Sequence, residues 1–138
     1  MNDCYVLDAC AVLAQLAGEE GADVVTGLIA KAEIDGYRVL MHKANLCEVY
    51  YDLARSRNEA AADEFLNTFS GLPITIVDSI SDALLKKISE YKVSYRISFA
   101  DSFALATAFL HDAVVVTSDH HEFDIIEQAG KLQFYWIR

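Results

Sequence analysis

The sequence contains little that would interrupt secondary structure or cross-link the chain. Its 138 residues include one proline and three cysteines, and 54% are apolar. This composition excludes a disordered chain and favours a helix-rich globular domain, which we expect to span residues 1–138. Cys4, Cys10 and Cys47 lack C-x-x-C spacing and are odd in number, which indicates neither a disulfide framework nor a zinc knuckle. We expect buried free thiols in a reducing, cytoplasmic compartment.

Long apolar runs are also missing. The first apolar stretch, residues 4–7, ends at Asp8 and no basic region precedes it, so we do not expect a cleavable secretion signal. No uncharged apolar run approaches the length that spans a bilayer. The sequence therefore predicts no membrane association.

Positive charge is scarce. Eleven Lys and Arg residues stand against 21 Asp and Glu residues, for a formal net charge of −10. Nucleic-acid phosphates normally contact a basic face, so the balance argues against ordinary nucleic-acid binding. That objection weakens if several of the acids hold cations.

Strand-like and helix-like segments alternate along the chain. Strands are expected at residues 4–7, 37–41, 73–77, 113–117 and 132–137, with helices between them. Glu19 and Glu20 are expected to open the second helix, and Asn45 to cap the third. This order predicts right-handed crossovers and an α/β fold of three α/β/α layers around a central five-stranded, mainly parallel sheet.

Four acids fall where strands and helices meet. Asp8 and Asp119 follow predicted strands, Asp101 lies one turn into a predicted helix, and Glu48 follows Asn45 by three residues. Parallel strands end at one edge of a sheet, where α/β folds bind ligands, so we expect the four to share one site. Helix capping is the alternative for each aspartate, and a capping box with Asn45 is the alternative for Glu48.

Clustered carboxylates indicate a particular chemistry. They repel one another, and a divalent cation relieves that repulsion. Oxygen ligands suit Mg²⁺ or Mn²⁺ better than zinc. Two such ions about 4 Å apart can activate water and stabilise the leaving oxygen in phosphodiester hydrolysis, which then needs no side-chain nucleophile.

Four blocks of the sequence contain the predicted acids: VLDACAVLA, NLCEVYY, SFADSFALATA and VVVTSDHHEF. Together these blocks resemble a known family, the PIN domain nucleases, and in particular the small VapC-type toxins of prokaryotic toxin–antitoxin pairs. The resemblance places the family's catalytic, metal-binding acids at Asp8, Glu48, Asp101 and Asp119. Asp124 is an alternative fourth acid, and Thr117 or Ser118 matches a hydroxyl that supports the metal site.

The resemblance implies a PIN-like fold and an Mg²⁺- or Mn²⁺-dependent endoribonuclease that cleaves RNA. It further implies a homodimer that an antitoxin protein holds inactive. The alternative is a catalytically weak or inactive protein-binding module of the same fold. A phosphatase of haloacid dehalogenase type is disfavoured, because Cys10 stands where its D-x-D pattern requires a second aspartate.

Overall fold

A computed structural model of the protein describes residues 3–138. Met1 and Asn2, which the predicted domain includes, lie outside the described residues. The strands are β1 (Cys4–Leu7), β2 (Arg38–His42), β3 (Thr75–Val77), β4 (Val114–Thr117) and β5 (Phe134–Trp136). The helices are α1 (Ala9–Ala17), α2 (Ala22–Asp35), α3 (Lys43–Ser56), α4 (Glu59–Phe69), α5 (Asp82–Ser94), α6 (Phe99–Leu110) and α7 (His120–Gln128).

The five strands form one sheet in the order β3-β2-β1-β4-β5, and all four pairings are parallel. The chain therefore builds outward from β1 to β3, and then returns to place β4 on the other side of β1. The crevice between the carboxyl ends of β1 and β4 is the point at which the strand order reverses, where α/β sheets bind ligands. The predicted three-layer fold with a parallel five-stranded sheet is confirmed.

Alternating side chains along the strands build one apolar core on each face of the sheet. In β1, Leu7 belongs to the core beneath α1–α4, whereas Val6 belongs to the core beneath α5–α7. Val116 and Val115 of β4 divide in the same way. Strands buried on both faces read as continuous apolar runs, which is why the sequence predicted them correctly.

Two predicted helix starts are wrong. The second helix begins at Ala22 rather than at Glu19, because Gly21 precedes it with a φ of 95°. A Cβ at Gly21 would lie 2.5 Å from the Ile137 carbonyl oxygen, so the backbone approach excludes any larger residue.

The third helix, α3, begins at Lys43, and its cap is His42 rather than Asn45. The His42 Nδ1 atom accepts a hydrogen bond from the Ala44 amide at 3.0 Å. Asn45 instead lies in the first turn of α3 and is fully buried. Glu48 is consequently in the second turn, beyond the reach of a capping box, so the capping alternative for Glu48 is wrong.

Candidate active site

The candidate site lies at the carboxyl ends of β1 and β4. Asp8 directly follows β1, and its amide donates to the Val116 carbonyl at 3.3 Å. Helix α1 after β1 packs on one face of the sheet and α7 after β4 on the other, so the crevice opens between them. Three helix N-termini meet there: Asp8 caps α1, Asp119 caps α7, and Asp101 is in the first turn of α6. Their partial positive charges favour carboxylates at these positions.

Asp8 is the most deeply buried of the acids, with no exposed surface. Its Oδ1 accepts a hydrogen bond from the Ala11 amide at 2.8 Å, and its Oδ2 accepts one from the Thr117 hydroxyl. Burial raises the pKa of Asp8 to about 7; the two hydrogen bonds oppose that rise, and the charges of Asp101 and Asp119 add to it. Asp8 is therefore both the N-cap of α1 and a member of the acidic cluster.

Thr117 connects two of the acids. Its hydroxyl donates to Asp8 and accepts from the Asp119 amide at 3.0 Å. Asp119 in turn caps α7, since its Oδ1 accepts from the Glu122 amide at 3.1 Å. The neighbouring Ser118 contributes its backbone carbonyl to the His120 amide at 3.1 Å. Of the two predicted hydroxyls, Thr117 is thus the one that holds Asp8.

Asp101 and Glu48 approach the crevice from two helices that pack together, α6 and α3. Ser98 caps α6 by accepting from the Asp101 amide at 3.1 Å. Burial raises the pKa of Asp101 to about 7, and repulsion from Asp119, Glu48 and Glu122 contributes. Burial also raises the pKa of Glu48, with smaller contributions from nearby carboxylates.

The thiol of Cys10 lies within electrostatic range of all four predicted acids. Burial is the main cause of its raised pKa, and the charges of Asp8, Asp119, Asp101 and Glu48 all add to the effect. The half-buried thiol is therefore near all four carboxylates, which places them in one region of the fold. The expectation of three buried cysteines holds for Cys4 but not for Cys47, which is exposed.

One acid that the sequence interpretation missed belongs to this cluster. Glu122 raises the pKa of Asp101 and is partly buried in the first turn of α7. Its signal in the sequence was its place three residues after the strand-end Asp119, which reads equally well as an ordinary first-turn acid.

Asp124 has a different environment. Its exposed carboxylate accepts a hydrogen bond from Nδ1 of His120 at 2.8 Å, and the His120 ring stacks on Trp136 with centroids 3.8 Å apart. Asp119, and not Asp124, is among the charges that act on Asp8 and Asp101. The electrostatics thus favour Asp119 as the fourth member of the cluster.

The side chains are not arranged as a finished metal site. Between residues 3 and 138, no three His, Cys, Asp or Glu side chains converge closely enough to hold an ion. The donor chemistry nevertheless fits a hard divalent cation, because every acid of the cluster offers oxygen and two have a pKa raised to about 7. No helix in the same range is long and apolar enough to cross a membrane.

A parallel sheet with an acidic cluster at its strand-order reversal defines an α/β protein whose site is built from carboxylates. The chain belongs to the PIN domain family: the family model for the PIN domain matches residues 5–128. None of the curated proteins resembles the chain closely enough in sequence to count as a relative.

Solved structures share the fold at low sequence identity. A chain of DNA-bound VapBC from Salmonella typhimurium matches with a TM-score of 0.72 and 14% identity, over 100% of both chains. A chain of VapBC2 from Rickettsia felis, bound to a promoter DNA fragment, matches with a TM-score of 0.71 and 17% identity, over 96% of this chain and 97% of that chain. Mycobacterium tuberculosis VapC20, a toxin that cleaves the sarcin-ricin loop, matches with a TM-score of 0.68 and 16% identity, over 91% of this chain and 95% of that chain.

Proposed function

We propose that the protein is an Mg²⁺- or Mn²⁺-dependent endoribonuclease and the toxin component of a toxin–antitoxin pair. The observation that carries the proposal is the position of Asp8 and Asp119 directly after β1 and β4, with Asp101 and Glu48 near enough for the acids to raise one another's pKa values in addition to the effect of burial. Clustered carboxylates destabilise the fold when no cation is bound, so we infer that they are kept because they bind a cation.

Asp8, Glu48, Asp101 and Asp119 would hold the cation, with Glu122 beside them. A bound divalent cation supplies a Lewis acid and a counter-charge for phosphodiester hydrolysis. Because the side chains do not converge in the described structure, Glu48 and Asp119, which are only partly buried, would have to move toward the fully buried Asp8.

The rest of the chain orients these carboxylates and controls their protons. Thr117 and the Ala11 amide fix both oxygens of Asp8, and Ser98 fixes the turn that carries Asp101. Near pH 7, without a cation, Asp8 and Asp101 are each partly protonated. Loading a cation would release those protons, which makes binding stronger as the pH rises.

RNA is the proposed substrate, and the cleavage of the sarcin-ricin loop by the structurally similar VapC20 supports that choice. An antitoxin protein is the proposed partner, because similar folds occur in VapBC complexes. Homodimer formation is consistent with strongly exposed apolar side chains such as Ile34 and Val93. Cys10 and Cys47 form no disulfide within the described residues, which is consistent with the proposed cytoplasmic location.

The test is cleavage of a pool of structured RNAs with Mn²⁺, Mg²⁺ or EDTA. We expect the intact protein and Asp124→Asn to cut, and Asp8→Asn and Asp119→Asn to lose activity. Asp119→Asn and Asp124→Asn each remove one negative charge, and the two positions are at the N-terminus of α7 and within it. Asp124→Asn is therefore the matched control for Asp119→Asn. Cleavage that persists in EDTA or in Asp8→Asn would refute the proposal, and loss in Asp124→Asn alone would reassign the fourth acid.

The second candidate function is a protein-binding module of the same fold that is catalytically weak or inactive. The lack of three converging ligand side chains among residues 3–138 favours it, as does the net charge of −10, which opposes RNA binding. It predicts that Asp8→Asn leaves partner binding unchanged and that no RNA in the pool is cut.

A further inference from the structure

Asn45 links the helices that carry two of the candidate acids. It lies in the first turn of α3, three residues before Glu48, so the two side chains share one side of the helix. Its Nδ2 donates a hydrogen bond of 2.9 Å to the carbonyl of Ala100, the residue before Asp101. A single amide therefore ties the Glu48 helix to the first turn of the Asp101 helix.

Burying Asn45 has a free-energy cost, which indicates that its hydrogen bond to Ala100 does not serve stability. Asn45 is fully buried, and its Oδ1 accepts no hydrogen bond from any residue between 3 and 138. An unpaired buried acceptor costs more free energy than one neutral hydrogen bond returns. An apolar side chain of similar volume would fill the space without that penalty, so packing alone does not account for asparagine here.

We propose that Asn45 is a positioning residue that sets the separation of the Glu48 and Asp101 carboxylates for cation binding. Apolar packing also holds α6 against α3, and Ser98 caps α6, but the cap bonds to α6 itself and, among the described residues, makes no hydrogen bond to α3. The amide of Asn45 provides a hydrogen bond between the two helices across 55 residues of sequence. This inference rests on the proposed metal dependence, and the experiment separates the two.

The test is titration of the purified protein with Mn²⁺ alone, with free Mn²⁺ followed by electron paramagnetic resonance. We expect Asn45→Leu to weaken Mn²⁺ binding at least about tenfold, the effect typical of losing a group that orients metal ligands. We also expect its melting temperature without metal to equal or exceed that of the intact protein, because the unpaired acceptor is gone. A purely structural role predicts the opposite change in melting temperature.

Thr107→Val is the matched control. Thr107 is also fully buried in α6, and its Oγ1 likewise has no partner within the described part of the chain. Its replacement relieves a similar penalty and leaves the hydrogen bond between Asn45 and the Ala100 carbonyl in place, so Mn²⁺ affinity should not change. Asn45→Ser, which shortens the side chain, breaks the contact independently of how leucine packs and should weaken binding as Asn45→Leu does.

The outcomes separate the inference from the proposed function. Cleavage by Asn45→Leu should recover at high Mn²⁺, and the variant should add no further loss of Mn²⁺ affinity to Asp101→Asn. Intact affinity in both Asn45 variants, or an equal loss in Thr107→Val, would overturn the positioning role while RNA cleavage by the intact protein still supports the nuclease. An intact protein that binds no Mn²⁺ would overturn both.

Discussion

Replacing Asp8 by asparagine should stabilise the protein while removing its activity. Asp8 has a pKa of about 7 in the fold, against 3.8 for an ordinary aspartate, because it is buried beside other carboxylates. Each pKa unit corresponds to about 1.4 kcal/mol, so keeping Asp8 ionised above pH 7 lowers the free energy of unfolding by about 4 kcal/mol. The fold holds a carboxylate there at a substantial cost.

Part of that gain would be lost in the variant. An asparagine at position 8 can still accept from the Ala11 amide, and its NH₂ group can donate to the Thr117 oxygen. The Thr117 hydroxyl would then lose the acceptor for its own proton, because it now donates to Asp8 and already accepts from the Asp119 amide. One unsatisfied buried donor costs about 1–2 kcal/mol. The net gain at pH 8 is therefore about 2–3 kcal/mol, or on the order of 10 °C in melting temperature.

The raised pKa of Asp8 also makes the stability difference between the two proteins depend on pH. Below pH 3.8 the carboxyl is neutral in both states and imposes no penalty. Between 3.8 and about 7 the folded state binds more protons than the unfolded chain, so the free energy of unfolding falls as the pH rises. The penalty is nearly complete above pH 7. The advantage of Asp8→Asn should thus be largest at pH 8 and close to zero at pH 5.

The assay is urea unfolding in EDTA at several pH values, with Asp124→Asn as the control. Asp124 is exposed and its replacement removes the same charge, so it should leave the free energy of unfolding nearly unchanged. Adding Mn²⁺ should stabilise the intact protein and not Asp8→Asn. If Asp8→Asn is no more stable than Asp124→Asn at pH 8, the argument from burial and repulsion is refuted.

Three further predictions concern the groups that hold the site in place. Thr117→Val should lower the free energy of unfolding by about 1–3 kcal/mol and reduce cleavage, because Asp8 and the Asp119 amide both lose a partner; an unchanged urea midpoint would contradict this. Burial lowers the pKa of His42, so the fold binds fewer protons than the unfolded chain and stability should fall as the pH drops below about 6.5. His42→Asn, which can still cap α3, should remove that contribution, seen as the difference between the two melting curves from pH 7 to 5. Ser98→Ala should cost about 1 kcal/mol by removing the cap of α6, while Ser98→Thr should cost less by calorimetry.

Helix caps show where local sequence reasoning succeeded and where it did not. The cap at Ser98 has a signal in the sequence, a serine three residues before an acid, and that signal lies within one turn. His42 was missed since histidine caps rarely, and its Nδ1 is available here only because Nε2 lies 3.2 Å from the Ser79 carbonyl and donates to it. That second contact spans 37 residues and leaves no local trace.

The acids likewise divide into those with a local signal in the sequence and one that only the tertiary structure reveals. Asp8, Asp101 and Asp119 could be proposed from the sequence because each stands beside a strand or helix boundary. Glu48 was proposed with them from an expected cap at Asn45 and from the family resemblance, although it lies in the second turn of α3. Their roles as metal ligands remain a prediction. Glu122 was missed because it reads as an ordinary first-turn acid, and only the tertiary structure brings its charge close enough to raise the pKa of Asp101.

By itself the sequence determined the order of strands and helices, because apolar periodicity and caps act over a few residues. It also determined that Asp8, Asp101 and Asp119 lie at element boundaries. Only the tertiary structure decided that β4 returns to the side of β1, which brings Thr117 to Asp8 across 109 residues, and that Asn45 reaches Ala100 across 55. Contacts over such separations depend on the order of the strands in the sheet, and the same local segments are compatible with several orders.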